Sequence, residues 1–189
     1  TDHHFVLPFA WNPAAIYLRY ALLLYRVGNY SQALDNIERS LELDPGNIKT
    51  RFIAAEIASI LLDYDKVNRI CQLPALNDSK NCLAEFSTDD EENYWIAGIY
   101  GIQTEIALDQ GKLLQAEKFA TDGLAYFPSH PRLLAAEVSI AVQQGAFERA
   151  EEQFKGLSDQ LTQTGTLPFG NEFFEVEGKD SKKKHPYWW

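Results

Sequence analysis

The sequence predicts an all-α fold in which helical hairpins stack into a solenoid. Small residues recur at a fixed step: Gly145 follows Gly111 by 34 residues, and Ala150 follows Ala116 by the same interval. Between them, Leu, Ile, Tyr and Phe recur at the i, i+3, i+4 spacing that marks the apolar face of an amphipathic helix. A period of this length with helical patterning is typical of helical repeat arrays.

Length and composition limit the classes of protein. The chain has 189 residues, of which 46% are apolar, enough to bury a core. Its formal net charge of −10 and its pI of about 4.8 disfavour a nucleic-acid partner, because phosphate backbones repel an acidic surface. The longest uninterrupted apolar run, Tyr20 to Tyr25, has six residues, whereas a membrane span needs about 20. We therefore expect neither nucleic-acid binding nor a membrane span.

Each element begins or ends at a recognisable signal. Asn12 precedes Pro13 as an N-cap before a proline at the first helical position, and Pro45-Gly46-Asn47 ends one helix and starts the next. Thr88-x-x-Glu91 has the form of a capping box, and Ser129 is placed to cap the helix after it. The signals and the period together predict eight helices, at about 13–27, 30–43, 48–62, 65–73, 91–110, 113–126, 130–144 and 147–163.

The repeat register slips once. Gly28 and Gly111 are 83 residues apart, as are Pro45 and Pro128, which is two periods of 34 plus 15 residues. An insertion therefore lies in the second repeat, and we place it at about 74–90. The predicted organisation is a lead-in, four repeats and a tail, at about 1–12, 13–46, 47–90, 91–129, 130–163 and 164–189.

The repeating positions point to a known family. The first copy has Tyr17, Tyr20, Ala21, Leu24, Gly28, Ala33 and Pro45, and the third has Tyr100, Thr104, Ala107, Gly111, Ala116, Ala120 and Pro128. This pattern resembles the tetratricopeptide repeat. The resemblance implies a right-handed superhelical solenoid whose first helices line an inner surface that binds a protein or peptide partner. Carried over position by position, it implies contacts from Arg19, Arg26, Phe52, Glu56, Glu105 and Arg132.

No motif for catalysis or for a resident metal stands out. The sequence has no His-Glu-x-x-His, no Gly-x-Ser-x-Gly and no Gly-rich loop ending in Lys-Ser or Lys-Thr. We therefore expect no enzyme activity, no cofactor and no metal, and we interpret the chain as a protein-interaction scaffold or adaptor that helps assemble a larger complex. The alternative is a regulatory or substrate-recognition module of an enzyme whose catalytic domain lies elsewhere. Association of the chain with itself stays open.

The two cysteines bear on the compartment. Cys71 occupies the large apolar position of the second repeat's outer helix, so one interpretation is a buried free thiol. The other is a disulfide to Cys82 in an oxidising compartment, which would tie the insertion to the solenoid. The chain begins at Thr1 and not at a methionine, which we interpret as cleavage or as a piece of a longer polypeptide. The compartment is undetermined, with a lean to a bacterial periplasm or cell envelope over the cytoplasm.

The tail is too apolar for a free linker. One interpretation is that residues from about Leu167 to Val176 cover the last repeat, where Phe154 and Leu157 would otherwise face water, while Gly178 to Lys184 stay solvated. The other is that the tail's aromatic residues contact a neighbouring molecule. The residues concerned are Phe169, Phe173, Phe174, Tyr187, Trp188 and Trp189.

Overall fold

The computed structural model describes residues 12–72 and 90–164, with side chains described as far as residue 159. These residues form eight α-helices and contain no strand. The helices are α1 (Pro13–Arg26), α2 (Tyr30–Leu43), α3 (Ile48–Ile60), α4 (Tyr64–Cys71), α5 (Asp90–Asp109), α6 (Leu113–Tyr126), α7 (Pro131–Gln143) and α8 (Phe147–Thr164). Consecutive helices pack in pairs as four hairpins, and each hairpin contacts the next. The predicted all-α solenoid is confirmed, and every predicted helix boundary agrees to within two residues.

Side-chain caps fix where several helices begin. The side-chain oxygen of Asn12 accepts hydrogen bonds from the backbone N–H groups of Ala14 and Ala15, at 3.1 and 3.4 Å. Asn47 caps α3 in the same way and accepts from Thr50 at 2.9 Å. Both caps were predicted from the sequence and are confirmed.

The predicted Ser129 cap is wrong. The N-cap of α7 is His130, in an extended conformation, and its side chain makes no capping hydrogen bond. Pro131 begins the helix with a φ that is already helical and with no N–H to satisfy, so the side-chain cap is less needed there. The Thr88 capping box lies outside the described residues.

The turn inside each hairpin has one residue in the left-handed region. Gly28, Gly111 and Gly145 have φ of 78°, 67° and 72°. Leu62 stands at the equivalent place in the second hairpin with φ of 57°. A side chain costs about 1–2 kcal/mol in this conformation, so the second hairpin keeps the turn of the others at an energetic cost.

Helix α5 joins two apolar clusters. Its Ile99, Ile102 and Ile106 pack with the buried residues of α1 to α4, whereas its Ala97 and Ala107 pack with those of α6 and α7. Of its 20 residues, 11 are buried. The core is therefore continuous through α5, and side chains from both halves of the array meet on this helix.

Other predictions fall partly outside the described residues. Residues 1–11, 73–89 and 165–189 are not described, so the boundaries of the predicted lead-in (1–12), insertion (74–90) and tail (164–189) stay predictions. Phe154 on α8 is 59% exposed and Leu157 is half-buried, which is consistent with the expectation that this end of the array presents apolar side chains. Within the described segments, no helix has the length and apolar character to span a bilayer.

Candidate partner-binding surface

Arg132 connects the first helices of three successive hairpins. It is the second residue of α7, and its guanidinium donates two hydrogen bonds to the carboxylate of Glu56 on α3, at 2.6 and 3.0 Å. Its Nε lies 3.0 Å from a carboxylate oxygen of Glu105 on α5. The side chains of Arg132 and Glu56 are 25% and 22% exposed. A two-pronged contact of this kind is directional as well as strong, so it fixes how α3, α5 and α7 sit relative to one another.

Two glycines on α5 make room for this contact. A Cβ on Gly101 would lie 2.7 Å from Cδ of Arg132, and a Cβ on Gly98 would lie 2.7 Å from Cε2 of Phe52. Gly98 and Gly101 are three residues apart and so lie on one face of the helix. Arg132 from one side and Phe52 from the other therefore cross α5 directly over its backbone, and the guanidinium carbon is 5.9 Å from the Phe52 ring centre.

An aromatic and charged group continues this surface towards the start of α5. The ammonium of Lys49 lies 5.1 Å from the centre of the Trp95 ring and 3.5 Å from a carboxylate oxygen of Glu91. The indole N–H of Trp95 donates to the same carboxylate at 3.2 Å. Trp95 also packs against Phe52, with ring centres 5.2 Å apart. We call Lys49, Phe52, Glu56, Glu91, Trp95, Glu105 and Arg132 the inner cluster.

Burial and neighbouring charges shift the pKa values of residues in and beside the inner cluster. Burial alone would lower the pKa of Arg132, but the hydrogen bonds and charges of Glu56 and Glu105 outweigh burial and raise this pKa above its ordinary value, so the guanidinium is charged at neutral pH. Burial, and next the charge of Glu56, raise the pKa of Tyr25, which places α1 within the influence of the same carboxylate. With three carboxylates against one guanidinium and one ammonium, the cluster carries a formal charge of −1 at neutral pH.

His130 is a buried residue that packs beside the inner cluster. It is 3% exposed, and its ring centre lies 4.6 Å from that of Tyr94 on α5. Burial, with a smaller contribution from the charge of Arg132, lowers the pKa of His130 to about 3, so the imidazole is neutral at pH 7. Its Nδ1 has no hydrogen-bond partner among the described residues. This histidine is part of the packed structure and not of a titrating site at neutral pH.

Four of the six predicted contact residues come together, namely Phe52, Glu56, Glu105 and Arg132. The other two, Arg19 and Arg26, are exposed on α1. Whether these six residues bind a partner stays a prediction.

Sequence reasoning missed the parts of the cluster that depend on long-range contacts. Trp95 is not among the predicted contact residues, and Glu91 is predicted only as part of a capping box. The available signal was the Gly98-x-x-Gly101 spacing, because two glycines on one helix face predict the close approach of a neighbour.

Cys71 and the tail aromatics stand apart from the inner cluster. Cys71 is buried, and burial raises the pKa of its thiol to about 12, so it is a poor nucleophile at neutral pH. Cys82 lies outside the described residues, so the disulfide stays a prediction, as do contacts by Phe169, Phe173, Phe174, Tyr187, Trp188 and Trp189. Within residues 12–72 and 90–164, no three His, Cys, Asp or Glu side chains gather as a group able to hold a metal ion.

Comparison with known proteins agrees with the fold. The family model of the tetratricopeptide repeat matches residues 14–47. No curated protein matches the chain in sequence.

Three similar solved structures have low sequence identity. A double mutant of MamA RS-1 is 12% identical with a TM-score of 0.52, over 83% of this chain and 80% of that one. TTC0263, a thermophilic TPR protein in Thermus thermophilus, is 23% identical with a TM-score of 0.50, over 76% and 72%. MamA from Desulfovibrio magneticus RS-1, from residue 41 to its end, is 14% identical with a TM-score of 0.49, over 82% and 78%. The chain is therefore an all-α protein with a tetratricopeptide-repeat fold, and residues 14–47 carry the repeat of that family.

Proposed function

We propose that the chain is a non-enzymatic scaffold that holds a segment of a partner protein on the inner surface formed by α1, α3, α5 and α7, and so helps to assemble a larger complex. The observation that carries the proposal is the pairing of Arg132 with Glu56 and Glu105 across three of these helices. A surface whose shape is set before binding loses less conformational entropy when a partner docks. The inner cluster supplies such a surface.

The proposed contacts differ in what they contribute. Glu105, with a side chain 48% exposed, and the exposed Arg19 and Arg26 are accessible to a partner's charged groups. Phe52 is half-buried and offers part of its ring to an apolar side chain. Arg132 and Glu56 already satisfy each other, so their main contribution is to hold the surface in shape, because a paired, desolvated charge gains little from a further partner.

The test reverses charge on the inner surface without touching the Arg132 contact. Affinity capture with mass spectrometry first identifies a partner, and calorimetry then measures its dissociation constant. We expect the double variant Arg19→Glu/Arg26→Glu to bind at least about tenfold more weakly, since Arg side chains often carry a large share of interface energy. Circular dichroism should be unchanged, because both residues are exposed.

The matched control has the same change in charge on the second helices. Arg69 on α4 and Arg149 on α8 are both exposed, so Arg69→Glu/Arg149→Glu changes the net charge equally on the other side of the hairpins. We expect this control to bind as the unchanged chain does. Equal affinities for the two double variants would contradict the inner surface as the binding site. Arg132 is left out of the test because its reversal would also disrupt the helix packing.

A further inference from the structure

The first helices of the four hairpins end at equivalent positions that carry different side chains. Helices α1, α3, α5 and α7 end at Arg26, Ile60, Asp109 and Gln143. Each of these residues lies two positions before the left-handed residue of its turn, so the four positions are equivalent in the repeat. All four residues are exposed. We call Arg26, Ile60 and Asp109 the end row.

Ile60 and Asp109 lie on the inner surface, next to the inner cluster. Asp109 follows Glu105 by four residues on α5, and Ile60 follows Glu56 by four residues on α3. Residues four apart in a helix share a face, one above the other. Arg132 contacts both glutamates from the inner side of these helices. Ile60 and Asp109 therefore extend the inner surface by one helical turn towards the hairpin turns.

Arg26 lies at the α1 side of the same surface. Leu22, four residues earlier, is half-buried and packs against the apolar cluster that α1, α3 and α5 share. Burial, and next the charge of Glu56, raise the pKa of the neighbouring Tyr25, which places the end of α1 beside α3. The end row therefore runs from a cation on α1, past an apolar side chain on α3, to an anion on α5.

The helices at the two sides of the row differ in charge beyond these single residues. Helix α1 has two basic residues, Arg19 and Arg26, and no acidic residue. Helix α5 has five acidic residues and no basic residue. The sign of the charge on the first helices therefore changes between α1 and α5. A bound segment with the opposite order of charges would be complementary to it.

Asp109 is placed where an anion is unfavourable within the chain. It is the last residue of α5, and the carbonyl groups at a helix C-terminus carry a partial negative charge. The last turn of α5 has no basic residue to offset this. Burial raises the pKa of the nearby Glu105, and the charges of Glu56 and Asp109 add to this effect against that of Arg132. A cation supplied by a partner would be favoured at this position.

We infer that the partner segment presents an acidic side chain to Arg26, an apolar side chain to Ile60 and a basic side chain to Asp109, and so crosses the end row in one direction. This inference rests on the proposed function and adds the chemistry of the bound segment. Packed helices lie about 8–10 Å apart, so the row from α1 to α5 spans about 16–20 Å. An extended chain covers this distance in about six residues, which puts the apolar residue midway between the two charged ones.

Three probe peptides of about seven residues test this order of charges. All three have blocked termini and a central leucine. The dipolar probe has aspartate at one end and lysine at the other, and the two uniform probes have either aspartate or lysine at both ends. NMR titration at low ionic strength should give the dipolar probe a dissociation constant about fivefold lower than that of either uniform probe. The net charge of −10 would by itself favour the lysine probe, so this ranking cannot arise from net charge.

Charge reversal at either end of the row should change which probe binds most tightly. Arg26→Glu should favour the lysine probe, and Asp109→Lys should favour the aspartate probe, because each variant then has two like charges in the row. The matched controls on second helices are Arg69→Glu on α4 and Glu151→Lys on α8, which are exposed and change the net charge equally. Both controls should keep the preference for the dipolar probe.

The direction of binding is measured with a spin label at the aspartate end of the dipolar probe. The label should broaden amide signals at the end of α1 and not at the end of α5. Broadening at the end of α5 would overturn the proposal. A dipolar probe that fails to bind, or binds no more tightly than the better uniform probe, would also overturn it. So would shifts in preference for Arg26→Glu and Asp109→Lys that are no larger than those of the controls.

The variant Arg19→Glu/Arg26→Glu separates the order of charges from the proposed function. If it weakens binding of the captured partner while the probes show no preference, the order of charges is wrong and the inner surface remains the binding site. If neither the captured partner nor the probes respond to changes on the inner surface, the proposed function fails as well.

Discussion

Helices α1 and α5 are both first helices of a hairpin, yet they differ in what surrounds them. Of the 14 residues of α1, three are buried, and Ile16, Tyr20 and Leu23 are exposed in a line that Val27, the C-cap, continues. Of the 20 residues of α5, 11 are buried, and its glycines are crossed by side chains from both neighbours. The repeat pattern is similar in the two helices, but within the described residues α5 has a hairpin on either side and α1 has one.

The difference shows how a repeat array distributes its stability. Each repeat contributes an interface to each neighbour, so a central helix takes part in two interfaces and a terminal helix in one. The contacts that hold the array in shape should therefore gather around α5. Substitutions there should cost more than equivalent substitutions on terminal helices.

The largest effect is expected from Arg132, which crosses α5. Arg132→Leu removes the partner of Glu56 and Glu105, and leaves Glu56 charged with a side chain that is 22% exposed. Loss of one member of a buried pair costs about 3–5 kcal/mol, and the partial exposure here reduces this to about 2–3 kcal/mol. Urea unfolding monitored by circular dichroism measures the change.

The matched control for Arg132 lies on α1, the first helix that the structure describes. Arg19→Leu on α1 removes an exposed guanidinium and should change the free energy of unfolding by at most about 0.5 kcal/mol. In a Glu56→Gln/Glu105→Gln background, the cost of Arg132→Leu should fall, because the stranded carboxylates are then absent. Similar costs for Arg132→Leu and Arg19→Leu would contradict the difference between central and terminal helices.

A second effect is expected from pH through His130, which packs against Tyr94 on α5. Its pKa of about 3 in the folded chain lies below the ordinary value of 6.5, so folding favours the neutral imidazole. The resulting stability is complete above about pH 6.5 and is lost progressively as the pH falls towards 3. Between pH 7 and pH 5 the loss should be about 2 kcal/mol.

The variant His130→Gln isolates this contribution. It keeps a neutral hydrogen-bonding side chain and leaves the other histidines in place, so their titration cancels in the comparison. The difference in unfolding free energy between the unchanged chain and the variant should shrink by about 2 kcal/mol from pH 7 to pH 5. A difference that stays constant over this range would show that His130 titrates normally in the folded chain.

The smallest effect is expected from the glycines. Gly98→Ala puts a Cβ 2.7 Å from the rigid ring of Phe52 and 3.5 Å from Nε2 of His130, so the ring must move, at a cost of about 1–2 kcal/mol. Gly156→Ala on the terminal helix α8 meets nothing within 4 Å and should stabilise by about 0.5–1 kcal/mol, since alanine is the better helix former. Melting curves of the two variants should therefore shift in opposite directions. A stabilising Gly98→Ala would mean that Phe52 does not lie over α5 as described.

Much of the inner cluster could be predicted one residue at a time but not as a set of contacts. Phe52, Glu56, Glu105 and Arg132 were placed on the inner surface by their repeat positions, and they do come together. Their pairing could not be predicted, because Arg132 and Glu56 are 76 residues apart in the chain. Repeat positions assign a helix face, whereas the reach of a long side chain across an intervening helix depends on how closely the helices approach.

The sequence by itself determined the number of helices, their boundaries and the hairpin turns, because these depend on local physics. Apolar spacing, N-cap side chains such as Asn12 and Asn47, and the glycines at the turns act over a few residues. Tertiary structure alone decided that Arg132 passes over Gly101 to reach Glu56 and that His130 is buried and neutral. It also decided that Ile16, Tyr20 and Leu23 on α1 are exposed. These features depend on which helices are neighbours in space. Burial then sets both the free-energy cost of an unpaired charge and the strength of the contact between paired charges.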